Sequence, residues 1–416
     1  MNNTSRREFL LASATAGAAL SGLRLWARPF VPIGVAGVAA PSTGAVVVIY
    51  LRGGADWLNM VVPWKDPVYQ QSRPTLGLNL EHGLVPLDSH FALHPALSPL
   101  KKLWDSKQFA PVLCTGSPHG TRSHFDAQDF MERGAPGLRN ITSGWLNRYL
   151  QASPAKETSD FRALAMQELL PRSLRGDFPA LAVPTKMDRR KGRKTLDTFE
   201  RFYGGGDGDG GMMGTDNDEN VVRSGQMTIS TLRSFQDIVA AAKSGDTVKY
   251  PDSKFGSRMK TLAIVIKAQC GLEVGALDYT GWDHHINQGG TDGKQNLMLA
   301  DYAASMSAFC ADLGPLLDST TIVTMTEFGR TVKENGNNGT DHGRASGMFL
   351  IGGGVNGGRI HGDWLGLTPG VLADGRDLPV TTDFRDVMAA CLRSSFNFKL
   401  PKDFFPGYKP GKVKLF

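Results

Sequence analysis

Residues 45–51, Ala-Val-Val-Val-Ile-Tyr-Leu, form an unbroken apolar run rich in β-branched side chains. A strand with one wet face alternates apolar and polar residues, so a continuous run predicts a strand covered on both faces. It ends in Arg52-Gly53-Gly54-Ala55-Asp56. A second strand, near Ala110 to Thr115, follows a helical segment starting about His94 and leads into the loop Gly116-Ser117-Pro118-His119-Gly120. Ser123 then stands as a helix N-cap, with Asp126 as its capping-box partner. Further strands are predicted at Glu273 to Tyr279, Thr320 to Thr326 and Met348 to Ile351. Between the first two, Leu299, Tyr302, Met306, Phe309, Cys310 and Leu313 recur at helical steps. Strands alternating with helices predict an α/β fold, a doubly wound, mostly parallel sheet with helices on both faces.

From about Ala152 to Lys260 the chain reads as charged and mostly helical. It is interrupted by a Gly- and Asp-rich run at about 203–220, too poor in apolar residues to pack and expected as a flexible loop. Asp207-Gly-Asp209 within it lacks the spaced ligands and terminal Glu of a calcium loop. Ahead of the first strand, Ser5-Arg6-Arg7-Glu8-Phe9-Leu10 and the alanine-rich stretch to Leu25 match the twin-arginine export pattern. Residues 1–40 are therefore expected to be a signal peptide, cleaved after Ala36 or Ala40, with 41–416 as a single domain in the periplasm or cell envelope. Twin-arginine passengers cross already folded, often with a metal or cofactor in place.

The chain has 46 basic and 40 acidic residues; the leader holds four Arg and one Glu, leaving 42 against 39, or +3. So slight an excess calls for no nucleic-acid partner, and no second apolar run is long enough to span a bilayer. Cys114, Cys270, Cys310 and Cys391 show no CxxC spacing. Buried free thiols are expected, with a disulfide as the alternative in an oxidising compartment.

Three segments carry metal-ligand residue types in glycine-rich loops after predicted strands: Gly53 to Asp56, Thr280 to His285, and Glu327 to Thr331 together with Gly339 to Gly343. In an open parallel sheet, the carboxyl ends of the strands form the ligand crevice, so these distant acids and histidines are expected to converge there. Carboxylates with imidazoles suit Zn, Mn or Fe, and a carboxylate-dominated set suits Mg or Ca. The competing reading makes Asp56 and Asp283 caps of a turn and a helix and the histidines ordinary surface or core residues. Gly352 to Gly358 lacks the features of a P-loop or dinucleotide fingerprint and reads as a hairpin turn. Ser123-His124 sits in no nucleophile elbow. Trp57, Trp145, Trp282 and Trp364 read as packing residues, with the lining of a carbohydrate-sized cleft as the alternative.

The motifs Tyr50-Leu-Arg-Gly-Gly-Ala-Asp56-Trp-Leu-Asn59, Thr121-Arg-Ser-His-Phe-Asp-Ala-Gln128, Gly281-Trp-Asp-His-His-Ile-Asn-Gln288, Thr326-Glu-Phe-Gly-Arg-Thr331 and Gly339-Thr-Asp-His-Gly343 resemble the exported bacterial family called domain of unknown function 1501. That family is grouped with the alkaline phosphatase and sulfatase superfamily. The resemblance runs from about Ala45 to the C-terminus and implies an alkaline phosphatase/sulfatase-like fold with a hydrolytic centre of one or two divalent ions, Zn, Mn, Ca or Mg.

By that resemblance Asp56, Asp283, His285, Glu327, Asp341 and His342 are the metal ligands, with His284 an extra candidate. Ser123 stands in the nucleophile's place, with Thr121 and Ser117 as rivals, and would gain from the positive end of the helix dipole. Arg122 and Arg330 are candidate anion clamps, with surface salt bridges as the alternative. His119 and His124 are candidate acids or bases, otherwise solvent-facing loop histidines. Phe328 stands where the superfamily has a ligand His, which puts the second ion in question. The reading is an exported metal-dependent hydrolase of a phosphate or sulfate ester, on a small molecule or glycan. The alternative is a catalytically silent envelope protein that binds a glycan or partner protein in the same crevice. A purely structural protein is favoured if the crevice acids pair with Arg330 or Arg344.

Overall fold

A computed structural model describes residues 44–153, 159, 161–184, 197, 216–242 and 248–416. The leader with both cleavage points, and Asp207-Gly-Asp209, lie outside the described residues. Eight strands form the main sheet: β1 (Ala45–Arg52), β2 (Phe109–Gly116), β3 (Ala163–Ala165), β4 (Leu181–Ala182), β5 (Val274–Thr280), β6 (Thr320–Met325), β7 (Ser346–Gly352) and β8 (Thr382–Asp383). Their order is β8-β2-β7-β6-β1-β5-β3-β4, and only β7 runs antiparallel to its neighbours. The expected mostly parallel sheet is present.

The long helices are α1 (His124–Arg133), α2 (Trp145–Ala152), α3 (Asp216–Ala241), α4 (Lys254–Lys267), α5 (Gly293–Leu313) and α6 (Phe384–Phe396). β1 shows why its sequence is apolar throughout. Val47, Ile49 and Leu51 enter one core with Leu262 of α4 and Met306 of α5. Val46, Val48 and Tyr50 enter the other with Leu146 of α2 and Val387 of α6. Side chains alternate across a strand, so β1 feeds two helical layers at once. Each large aliphatic side chain buried this way contributes about 2 kcal/mol.

Three expectations need correction. The middle of the chain is not only helical: the short strands β3 and β4 extend the sheet beyond β5. The expected loop at 203–220 gives way at Asp216 to α3. The glycine-rich stretch after β7 turns, but it forms no hairpin. It crosses to the edge of β2 away from β7, where Gly358 donates to the Phe109 carbonyl and His361 bridges Val112. Cys114, Cys310 and Cys391 are buried free thiols, and Cys270 is free and half-buried. Trp57, Trp145 and Trp282 are buried in packing.

Candidate metal centre

The parallel strands β1, β2, β5 and β6 deliver their following loops to one edge of the sheet. Because β7 is antiparallel, its leading segment, with His342 and Arg344, meets that same edge. Close approach is built into the backbone there. Gly53 has φ 124°, and a Cβ on it would lie 2.5 Å from the Asp283 amide nitrogen.

Three imidazoles surround Asp283, each held from behind at Nδ1. His124 Nδ1 lies 2.7 Å from Glu327 Oε1, His285 Nδ1 3.1 Å from Asp341 Oδ1, and His342 Nδ1 2.8 Å from the Arg122 carbonyl. Carboxylate and carbonyl oxygens only accept, so each ring donates at Nδ1 and turns Nε2 forward. His342 Nε2 is 3.2 Å and His285 Nε2 3.1 Å from Asp283 Oδ1, and these two nitrogens are 2.9 Å apart. His124 Nε2 is buried 3.3 Å from Asp283 Oδ2 but is not aligned for a hydrogen bond and has no other partner. One ligand atom from each of His124, Asp283 and His342 falls within 4.8 Å of the others.

The charges are set locally. Burial pushes the Asp283 carboxyl up, but the hydrogen bond and charge of Arg330 outweigh it and bring the group down to about 2. Burial likewise opposes ionisation of Glu327, and hydrogen bonds from His124 and Gln128 hold it below the usual carboxylate range. The Glu327 bond raises the pKa of His124, whereas burial lowers that of His342. A buried carboxylate behind an imidazole fixes tautomer and ring orientation, as the partners behind metal-bound histidines do.

Asp283, His285 and His342 therefore come together as expected. Glu327 and Asp341 come with them, but behind the histidines. Asp56 does not join: its carboxylate is buried against Arg73 and accepts a further bond from Gln288. Arg330 is not open to an anion. Its buried guanidinium donates to the carbonyls of Gly53, Gly54 and Thr340 and to Asp283 Oδ1 at 2.7 Å. Arg122 is paired with Asp377 and Asp374. His284 is buried with both ring nitrogens unpartnered, and burial lowers its pKa to about 4. Phe328 is a buried wall, its ring 4.9 Å from that of His124 and 4.8 Å from that of His342.

Ser123 occupies the N-cap position of α1 but makes no side-chain capping bond. Its hydroxyl is exposed, between Arg122, whose carbonyl holds His342, and His124. His124 is the residue that sequence reasoning underrated. The available signal was its place one residue inside a helix that follows a central strand.

A family model described as "Protein of unknown function (DUF1501)" matches residues 111–392. No curated protein matches the chain. Among solved structures, the chain is similar to Ps i-CgsB in complex with k-i-k-neocarrahexaose, at 8% identity and TM-score 0.39, over 87% of this chain and 74% of that one. It is similar to the phosphonate monoester hydrolase SpPMH from Silicibacter pomeroyi, at 12% identity and TM-score 0.38, over 89% and 78%. It is also similar to the C-terminal periplasmic domain of EcEptC from Escherichia coli, a complex with Zn, at 11% identity and TM-score 0.32, over 75% and 74%. Among the described residues, no helix is long and apolar enough to cross a membrane.

Proposed function

This chain belongs to the DUF1501 family of proteins of unknown function, and we propose that it is an exported, metal-dependent hydrolase of phosphate or sulfate esters. The observation that carries the reading is the arrangement of His124, His285 and His342, each anchored at Nδ1 and turned by Nε2 toward Asp283. The residues fit a bound cation. The Nε2 atoms of His285 and His342 face each other at 2.9 Å, and His124 Nε2 is buried without a hydrogen bond. A set dominated by imidazole nitrogen favours Zn, Mn or Fe over Ca and Mg. With Asp56 paired to Arg73 and Phe328 beside the rings, one ion is the fitting number. The paired-arginine leader supports export.

His124, His342 and Asp283 would hold the ion, joined on the His342 side by His285. It would polarise an ester oxygen and ease deprotonation of a hydroxyl or water. The exposed Ser123 hydroxyl, at the positive end of α1, suits the nucleophile's role. Glu327 keeps a proton on His124 Nδ1, and Phe328 excludes water from one side of the rings. The test is turnover of aryl phosphate and aryl sulfate esters by the metal-loaded protein and by Ser123→Ala. The reading predicts turnover of at least one ester, lost in the variant while metal content and melting temperature hold. An unchanged rate in Ser123→Ala would remove Ser123 from the mechanism.

One observation favours a purely structural protein. Arg330 already pairs with Asp283 at 2.7 Å, an internal cation on the carboxylate that a metal would use. In that case the crevice acids serve to hold the fold, and the protein retains no metal.

A further inference from the structure

Four arginines surround the centre, and three are engaged. Arg122 pairs with Asp377 and Asp374, Arg330 with Asp283 and backbone carbonyls, and Arg376 with Asp377 and the His342 carbonyl. Arg344 differs. The residue is half-buried with its guanidinium beside Gly120, where a Cβ would sit 3.4 Å from Nη1, and that guanidinium reaches solvent with no hydrogen-bond or ion-pair partner among the described residues. Its N–H donors are therefore held by water alone and stay available to an incoming oxyanion.

Arg344 lines a recess with Ser117, His119, Thr121, Glu327 and Phe328. The last two also touch the histidine cluster: Glu327 bonds His124, and the Phe328 ring lies tilted against those of His124 and His342. The recess offers donors. Ser117 Oγ accepts from the His119 amide and Thr121 Oγ1 from the Ser123 amide, which leaves both hydroxyl protons to donate. His119 Nδ1 accepts from the Thr121 amide, so its proton is on Nε2. Glu327 is the one carboxylate of the lining. It already accepts from Gly53, His124, Gln128 and Thr326, so its oxygens are turned to these donors and its charge is partly offset by their dipoles.

We propose that Arg344, with Ser117, His119 and Thr121, forms an oxyanion subsite that receives the acidic group of the substrate beside the metal centre. The proposal rests on the ester-hydrolase reading for its role, but the subsite binds without metal. A planar guanidinium meets two oxygens of a tetrahedral anion at once, and the hydroxyls and imidazole take the others.

The test uses the full-length protein stripped of metal by chelation, titrated calorimetrically at low ionic strength with inorganic phosphate and, separately, with sulfate. Wild type is expected to bind at least one of them saturably. Arg344→Gln is expected to weaken that binding at least about tenfold, with Arg344→Lys intermediate because one ammonium replaces the paired donors. Arg359→Gln, next to Gly358 at the far end of β2, should bind as wild type does. The tighter anion indicates the ester class. Equal binding by wild type and a folded Arg344→Gln, or no binding of either anion by wild type, overturns the proposal. Anion binding through Arg344 in a protein that turns over no ester when metal-loaded would keep the subsite and remove the hydrolase reading.

Discussion

Arg73 and Asp56 form a buried, two-pronged pair, with Nη1 2.5 Å from Oδ2 and Nη2 3.0 Å from Oδ1. The remaining donors of Arg73 reach Asn59 and the carbonyls of Thr331 and Val332, so all five N–H groups are satisfied. Its charge is thereby locked in: burial alone would lower the pKa of Arg73, but the charge and hydrogen bonds of Asp56 outweigh it and raise the pKa overall. The carboxylate following the first strand is thus a structural anchor tying that loop to residues 331–332.

Removing one partner leaves a buried charge unpaired. Arg73→Ala should cost about 3–5 kcal/mol in a urea unfolding experiment. Asp56→Asn should also lower stability, yet bind metal as wild type does. Loss of metal from folded Asp56→Asn would return Asp56 to the ligand set.

Glu327 acts behind His124. Replacing it by glutamine keeps the volume but removes the carboxylate that holds the Nδ1 proton. Metal affinity of Glu327→Gln should fall about 10- to 100-fold in a competition titration with a chromophoric chelator. An unchanged affinity would mean that His124 is not held for a metal.

His94 should make stability depend on acid. It caps the helical turn starting at Pro95: its Nδ1 accepts from the Ala96 amide, and Nε2 bonds the Gly290 carbonyl. Burial lowers its pKa below the ordinary histidine value. Below about pH 6.5 the unfolded chain takes up this proton while the folded protein still resists. The contribution is therefore present above that pH and lost as pH falls toward the folded pKa. Between pH 7 and 5, wild type should lose more unfolding free energy than His94→Asn, whose amide oxygen can still cap. Parallel pH profiles would contradict this.

Much of the scaffold was legible because continuous β-branched runs have few other uses. The strands after Ala45, Ala110, Glu273 and Thr320 form within a residue or two of their expected ends, and His94 begins the helical segment read there. β3 and β4 were not, since three- and two-residue strands carry no periodicity to detect. Met348 to Ile351 read as a strand, but its direction depends on a connection whose length says nothing about handedness. At the centre, residue types in loops located Asp283, His285 and His342. They could not reveal that Arg73, seventeen residues beyond Asp56, would take that carboxylate, because ion pairing across a fold leaves no local pattern. Nor could they show that Glu327 and Asp341 face the backs of histidines rather than join Asp283 at their front.

Elemental analysis of the purified protein decides whether Asp283 and the histidines hold a single transition-metal ion. The expected result is about one ion of Zn, Mn or Fe per chain, lost in the Asp283→Ala, His342→Ala double variant and retained in Asp56→Asn. A folded wild-type protein that holds no metal after incubation with these ions and desalting would contradict it.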